Sequence, residues 1–214
     1  MKKVSDAVQH SLLADDVALL ALQRGVLNMS AYAEQIHAHI ERTTMKPVKK
    51  GTIVAALARL APELAELPTL RPEVYLDDIV TRTPLCDVTF PKTPETQQKL
   101  GVLYSELHLH ESAFFTVTQS LSEITVIAPQ SAMLEMLRRF SIPPKAVFTN
   151  TVGITVRFSE KYLEIPNVLY TLQSALAVRH INFVEIVSTY TEFSFILDHA
   201  DAERALEVLR RFLR

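Results

Sequence analysis

The stretch "STYTEFSFIL", Ser188 to Leu197, alternates two sets of side chains. Tyr190, Glu192, Ser194 and Ile196 form a mixed set, and Thr191, Phe193, Phe195 and Leu197 a mainly apolar one. The stretch has no glycine or proline and runs into an aspartate that opens an amphipathic segment. A period of two with one apolar face describes a half-buried β-strand. An earlier segment repeats it: "SEITVI", Ser122 to Ile127, matches "TEFSFI", Thr191 to Ile196. Upstream, "VLYSELHLH" (Val102 to His110) matches "VLYTLQSAL" (Val168 to Leu176), and downstream "LRRF" at Leu137–Phe140 returns at Leu209–Phe212. The spacing widens from one match to the next, as small loop insertions would produce, so the chain carries an internal repeat.

Each copy reads strand–helix–strand–strand–helix. The first runs through Leu85–Phe90, Glu95–His108, Ala113–Gln119, Leu121–Ala128 and Ala132–Phe140. The second runs through Ile154–Phe158, Ile165–Val178, Asn182–Ser188, Thr191–Leu197 and Asp201–Phe212. Proline or acidic residues open these helices, which suits first turns. A unit of this kind closes with a fourth strand, and the first copy has a candidate in "KAVFTN", Lys145 to Asn150. The second copy ends without one, which would leave an open sheet edge. One strand is left over upstream, "VYLDDIVTR" at Val74–Arg82. Counting strands therefore predicts that it crosses to complete the second copy's sheet, nesting the first copy within the second.

The first 68 residues read as helices. Ser5 caps a short helix through Leu13, Asp15 and Asp16 open a second stopped by Gly25, and Ser30 caps a third containing Ile36 and Ile40. Thr52 caps a fourth, in which Ile53, Leu57, Leu60 and Leu64 recur at helical spacing. Pro62 interrupts its tail, and Pro68 with Pro72 marks a linker.

Composition bounds what the chain can be. It has 214 residues, 48% hydrophobic and 21% charged, which suits a globular protein with an ample core. No apolar run reaches the roughly 18 residues of a membrane span, and Asp6 and His10 interrupt any signal-peptide core, so a cytoplasmic location is expected. The single Cys86 excludes an internal disulfide framework and reads as a buried thiol. A net charge of −2 excludes a globally basic nucleic-acid binder. Locally, however, Arg42 to Pro62 holds Arg42, Lys46, Lys49, Lys50 and Arg59 with no acidic residue. That patch could meet phosphates or simply be a solvated surface.

The repeat also resembles a known module. Pro166-Asn167-Val168 at a helix start, Ile181-Asn182-Phe183 in the second strand, the link Ser188-Thr189, Glu192 leading the third strand, and Ala202 to Leu209 in the last helix are similar to an ACT domain of the aspartokinase type. The resemblance covers Val152–Arg214 most strongly, then Pro84–Asn150, and extends to the strand Val74–Thr83. It implies an α+β protein: an all-α, helix-turn-helix-like domain over 1–68, a strand at 74–83, and two nested ferredoxin-like ACT domains (βαββαβ) over 84–150 and 151–214. By resemblance, such domains pair as a homodimer and bind small ligands, commonly amino acids, at their interfaces. The loop contacts map to Leu100, Gly101, Val102 and Leu103 in the first copy and to Pro166, Asn167, Val168 and Leu169 in the second. The polar pairs entering the third strands are Ser122-Glu123 and Thr191-Glu192. Gly101 suits close approach of a carboxylate to backbone N–H groups at a helix N-terminus. Asn167 tolerates an unusual backbone angle but crowds the site, so the first loop is favoured.

The kinase part of an aspartokinase has no counterpart, since the four glycines are isolated and form no phosphate-cradling loop. His37/His39 and His108/His110 stand two apart, which on a helix points them away from each other, so neither pair reads as a metal site. No cofactor is implied. In the helical domain, the segment after Lys46 could act as a reading helix with Lys49, Lys50, Thr52 and Arg59 outward. The connection of about eight residues is long for a helix-turn-helix, and the alanines at 55, 56 and 58 offer little to base edges. The sequence thus leads to a non-catalytic, amino-acid-responsive regulator that binds DNA. The alternative is an allosteric or scaffolding subunit that docks on a biosynthetic enzyme and binds no DNA.

Overall fold

The computed structural model describes residues 2–106, 113–139 and 142–214. By compactness it divides into two units, Met1–Glu73 with Glu164–Thr171, and Val74–Leu163 with Leu172–Arg214. Eight-residue stretch 164–171 therefore groups with the helical residues rather than with the second repeat, where the sequence placed it.

The first unit contains α1 (Val4–Leu13), α2 (Asp16–Gln23), α3 (Met29–Thr44) and α4 (Lys50–Ala65). Their buried faces are the ones the spacing predicts: Ile36 and Ile40 from α3 and Ile53, Leu57, Leu60 and Leu64 from α4 share one core with Val8, Leu12 and Leu19. The caps differ in part. Asp15 does accept from the Ala18 N–H at 2.9 Å, but α3 is capped by Asn28, whose Oδ1 accepts from Ala31 at 3.1 Å. Ser5, Ser30 and Thr52 all lie inside helices. Pro62 also lies within α4 and does not end it. The carbonyl it leaves without a partner belongs to Ala58, an exposed residue, so water can serve it.

The α3–α4 connection is residues 45–49, shorter than the sequence reading, because Thr44 still belongs to α3 and Lys50 already to α4. Met45 takes the left-handed conformation that stops α3. Val48 is then held at both backbone groups: its N–H donates to Glu41 Oε1 at 2.9 Å, and its carbonyl meets His37 Nε2 at 2.6 Å. His37 is thus a half-buried fastener of the connection, not the solvent-facing residue its spacing suggested.

The second unit is built on one antiparallel sheet. Its strands are β1 (Leu76–Pro91), β2 (Thr116–Gln119), β3 (Glu123–Pro129), β4 (Ala146–Phe158), β5 (Glu185–Ser188) and β6 (Glu192–Asp198), in the order β2-β3-β1-β4-β6-β5. Four helices accompany it: α5 (Pro94–Glu106), α6 (Gln130–Arg139), α7 (Val168–Ala177), whose first turn counts with the helical unit, and α8 (Ala202–Leu209). Two pairs of expected strands are continuous. The expected strand Val74–Arg82, from Leu76 on, runs into Leu85–Phe90 as β1, and Lys145–Asn150, from Ala146 on, runs into Ile154–Phe158 as β4.

The front of β1 pairs with the back of β4 (Asp78 with Arg157, Val80 with Thr155, Arg82 with Gly153), while its back pairs with β3 and the front of β4 (Val88 with Val126 and with Val147). The upstream strand therefore hydrogen-bonds to the second repeat's first strand. Between the halves the β1–β4 register shifts at Leu85, whose carbonyl accepts from the Thr151 hydroxyl at 3.0 Å.

Period-two alternation sorts the faces. Cys86, Val88 and Phe90 of β1 join Ile124, Val126 and Ala128 of β3 under Met133 and Met136 of α6 and Leu100 of α5. Cys86 is fully buried as expected, and burial pushes its thiol up to about 11. In the opening stretch, Phe195 and Leu197 of β6 pair with Ile154 and Val152 of β4, and all four are buried. Ile196, on the opposite face, is buried as well.

Candidate ligand-binding cleft

On the helix-bearing face of the first repeat, α5 and the edge strand β2 enclose a solvent-open cleft of about 560 Å³. Gln97, Leu100 and Gly101 line it from α5, spaced so that they share one helix face. Phe115, Val117 and Gln119 line it from β2 and the residue before it, alternating toward the helix, with Thr116 beside them. The floor is apolar, and Leu100 is buried while Phe115 and Val117 pack half-buried against the same core. At the mouth, the Gln97 carboxamide donates from Nε2 to Gln119 Oε1 at 3.5 Å, a long bond that a ligand could replace. A Cβ built on Gly101 would meet nothing within 4 Å, so the cleft is open above it. None of these lining residues is titratable. The described lining residues offer hydrogen bonds and apolar surface to a molecule in the cleft.

The structure places the expected ligand residues unevenly. Leu100 and Gly101 line the cleft, but Leu100, Gly101, Val102 and Leu103 all lie well inside α5, not in a loop before it. The rationale of a carboxylate held by N–H groups at a helix start therefore fails for Gly101. The true start of α5 is closed by its own side chains, because Thr93 Oγ1 accepts from the Thr96 N–H at 3.1 Å and lies 2.9 Å from the Thr96 hydroxyl.

In the second repeat, Pro166 and Asn167 do precede α7, and Val168 and Leu169 begin it. Asn167 adopts a φ of 70°, the left-handed conformation its side chain tolerates. Its carboxamide donates to the Thr69 carbonyl at 3.4 Å, and Tyr170 donates to Asp16 at 2.6 Å, both within the helical unit.

The polar pairs stand apart from the cleft. Ser122 is exposed, with its carbonyl accepting from Lys92, and Glu123 is ion-paired to Lys145 at 2.7 Å. Thr191 and Glu192 enter β6 in the same way, the Thr191 carbonyl accepting from Phe158 at 3.0 Å.

The residues proposed for DNA are Lys46, Lys49, Lys50, Thr52 and Arg59, and all five are exposed. Lys50 is ion-paired with Glu34 of α3. His108 and His110 lie outside the described residues. Among the described residues no group of histidine, cysteine and carboxylate side chains could hold a metal, and no helix is long and apolar enough to cross a membrane. Gln97, Phe115, Thr116 and Gln119 were missed by the sequence reading. Their signal was present as three-and-four spacing on a helix facing two-residue spacing on a strand.

No protein-family profile and no curated protein matches the chain. Solved structures do. Aspartate kinase of Clostridium acetobutylicum, an allosteric enzyme, is 9% identical with a TM-score of 0.51, covering 67% of this chain and 36% of that one. The chain thus spans little more than a third of that enzyme's length. A structure of aspartokinase alpha and beta subunits is 16% identical with a TM-score of 0.51, covering 64% of this chain and 97% of that one. The ligand-free regulatory subunit of aspartate kinase from Thermus thermophilus is 14% identical with a TM-score of 0.52, covering 65% of this chain and 98% of that one. At such identities the likeness is one of fold: about two thirds of this chain carries the ACT-type fold of an aspartokinase regulatory subunit.

Proposed function

We propose that the chain is a non-catalytic regulatory protein whose tandem, nested ACT domains respond to a small molecule, with an amino acid as the first ligand class to test. The observation that carries this reading is the cleft between α5 and β2, open above Gly101 and lined by groups suited to binding, in a fold shared with aspartokinase regulatory subunits. A ligand there acts only through its different affinity for two arrangements of the protein, for instance two ways of pairing ACT domains in a homodimer.

A thermal-shift series with the twenty amino acids tests it. A ligand at about a hundred times its dissociation constant adds roughly 2.7 kcal/mol, which for a chain of this size raises the midpoint by about 5–10 °C. Gly101→Val places a side chain in the cleft and removes the shift. Silence across the series would sink the amino-acid reading.

For the helical unit, the exposed Lys46 and Lys49 in a short α3–α4 connection, with the exposed Arg59 on α4, support a second reading, a transcriptional regulator that contacts DNA backbone. Lys50 already has Glu34 as its counter-ion, which reduces the charge on offer. A salt-dependent gel shift of duplex DNA, abolished by Lys49→Glu with Lys50→Glu, would support DNA binding. No shift at low salt leaves the helical unit as a docking surface for a biosynthetic enzyme.

A further inference from the structure

Strands β2 and β5 are the opposite edges of the six-stranded sheet, yet residues from both meet over β1. The Glu185 carboxyl, at the start of β5, comes beside Asp87 of β1 and Thr118 of β2: Glu185 pairs with Ile196 and Asp87 with Ile127, and these two isoleucines are buried in one cluster. Beside them Leu85, Ile127 and Ile196 are buried in one cluster, with Phe114, Val184 and Val187 packed on it. Leu85 and Asp87 alternate with Cys86 and Val88, which face the helices, so this second cluster lies on the other face of the sheet. The sheet is thus folded so that the bare faces of its two halves close on each other. Gly153 sits in the fold, where a Cβ would lie 2.9 Å from Leu85 Cδ1 and 3.3 Å from Ile196 Cδ1.

Asp87 stands in this seam at 1% exposure, and its Oδ2 is buried with no hydrogen-bond partner. Two carboxyls can share a hydrogen bond only if one of them keeps its proton, since carboxylates accept and do not donate. Burial, reinforced by the neighbouring Glu185 carboxylate, pushes Asp87 up to about 7, and burial pushes Glu185 up as well. Among the described residues, Glu185 is the charged group that acts on Asp87. The other elements around it present Ile127 from β3, Phe148 from β4, Thr118 from β2 and Ile196 from β6, while Cys86 faces away.

We propose that Asp87 and Glu185 form a proton-operated latch. The protonated pair holds the two halves of the sheet closed over Leu85, Ile127 and Ile196, and loss of the proton loosens the seam at β2 and β5. The direction follows from linkage. A carboxyl raised in the folded state contributes stability that is complete below its unfolded value, near 4, and that is lost as pH rises through about 7. Acidification therefore shuts the latch and mild alkalinity weakens it. This inference concerns the seam and stands independently of any ligand in the α5–β2 cleft.

Hydrogen exchange of the whole chain at pH 5.5 and 8.5, corrected for intrinsic rates, tests it. Amides of β2 and β5 should lose protection roughly 30-fold between the two pH values, the factor expected for one carboxyl held near 7. Asp87→Asn keeps a neutral group that donates to Glu185, so the pH difference should vanish in β2 and β5. Glu185→Gln, at a half-buried position, leaves Asp87 buried but removes the charge beside it, so the difference should shrink; it serves if Asp87→Asn does not fold by far-UV circular dichroism. Wild-type protection that does not change with pH, a change that survives in folded Asp87→Asn, or one undiminished in Glu185→Gln, overturns the latch.

Discussion

Gly153 offers the sharpest test of how the two halves of the sheet are packed. It is central in β4, paired with Ile196 on one side and Arg82 on the other. Its backbone is not left-handed, so an L-residue meets no conformational penalty there. Only space opposes a side chain: an alanine methyl would lie 2.9 Å from Leu85 Cδ1 and 3.3 Å from Ile196 Cδ1. Both side chains are buried, Leu85 at 2% and Ile196 at 0% exposure, so neither can swing into solvent. Overpacking of this kind costs about 1–3 kcal/mol, against about 0.5–1 kcal/mol regained because alanine orders more cheaply than glycine. Gly153→Ala should therefore destabilise by roughly 0.5–2 kcal/mol, a midpoint fall of about 2–6 °C.

Gly101→Ala is the control. That glycine is inside α5 and its added Cβ meets nothing within 4 Å, so the substitution should stabilise by about 0.5–1 kcal/mol. Urea unfolding followed by far-UV circular dichroism suits a chain without tryptophan. Leu85→Val removes the crowding methyl, and combined with Gly153→Ala it should show a favourable coupling of at least about 0.5 kcal/mol. If Gly153→Ala stabilises as Gly101→Ala does, the halves of the sheet do not close at Leu85 and the seam argument falls.

Two further outcomes follow from buried groups. Glu41→Ala strips the Val48 N–H of its acceptor in a buried position, which should cost about 1–3 kcal/mol by chemical denaturation; no change would mean that the α3–α4 connection is fastened elsewhere. Cys86 is fully buried with its thiol pushed up to about 11, so a thiol reagent at pH 8 should label it only as fast as the second unit opens, and immediate labelling would contradict its place in the core.

Much of this architecture was legible in the sequence because it rests on patterns with a fixed period. The alternation in Thr191–Leu197 identifies a strand, and Ile53, Leu57, Leu60 and Leu64 identify the inner face of α4; each is where local spacing and burial agree. Even the long-range pairing of Val74–Arg82 with the second repeat's first strand could be inferred, since an unfinished sheet leaves backbone groups without partners. The period did not reveal that Ile196 is buried on the other face too. That burial depends on Leu85 and Ile127, distant in sequence, and on a glycine whose role is to leave room.

The same distinction explains why the cleft was found only in part. Matching Val102 to Val168 rested on three identical letters, and in the structure Val168 begins its helix whereas Val102 lies late in α5. The strand match was sounder, for Glu123 and Glu192 both open the third strand of their repeats. Strand register is enforced by cross-strand partners, since a slip of one residue would turn every buried side chain to solvent. A helix tied to its sheet by loops of different length is under no such constraint. The first repeat joins β1 to α5 through residues 92–93, and the second joins β4 to α7 through residues 159–167. Aligning the repeats on their strands, and then asking which α5 residues face Phe115, Val117 and Gln119, would have led to Gln97 as readily as to Leu100 and Gly101. The cleft is therefore a property of how one helix lies over an edge strand, and a substitution that shortens or lengthens that loop should shift its lining residues while leaving the sheet register intact.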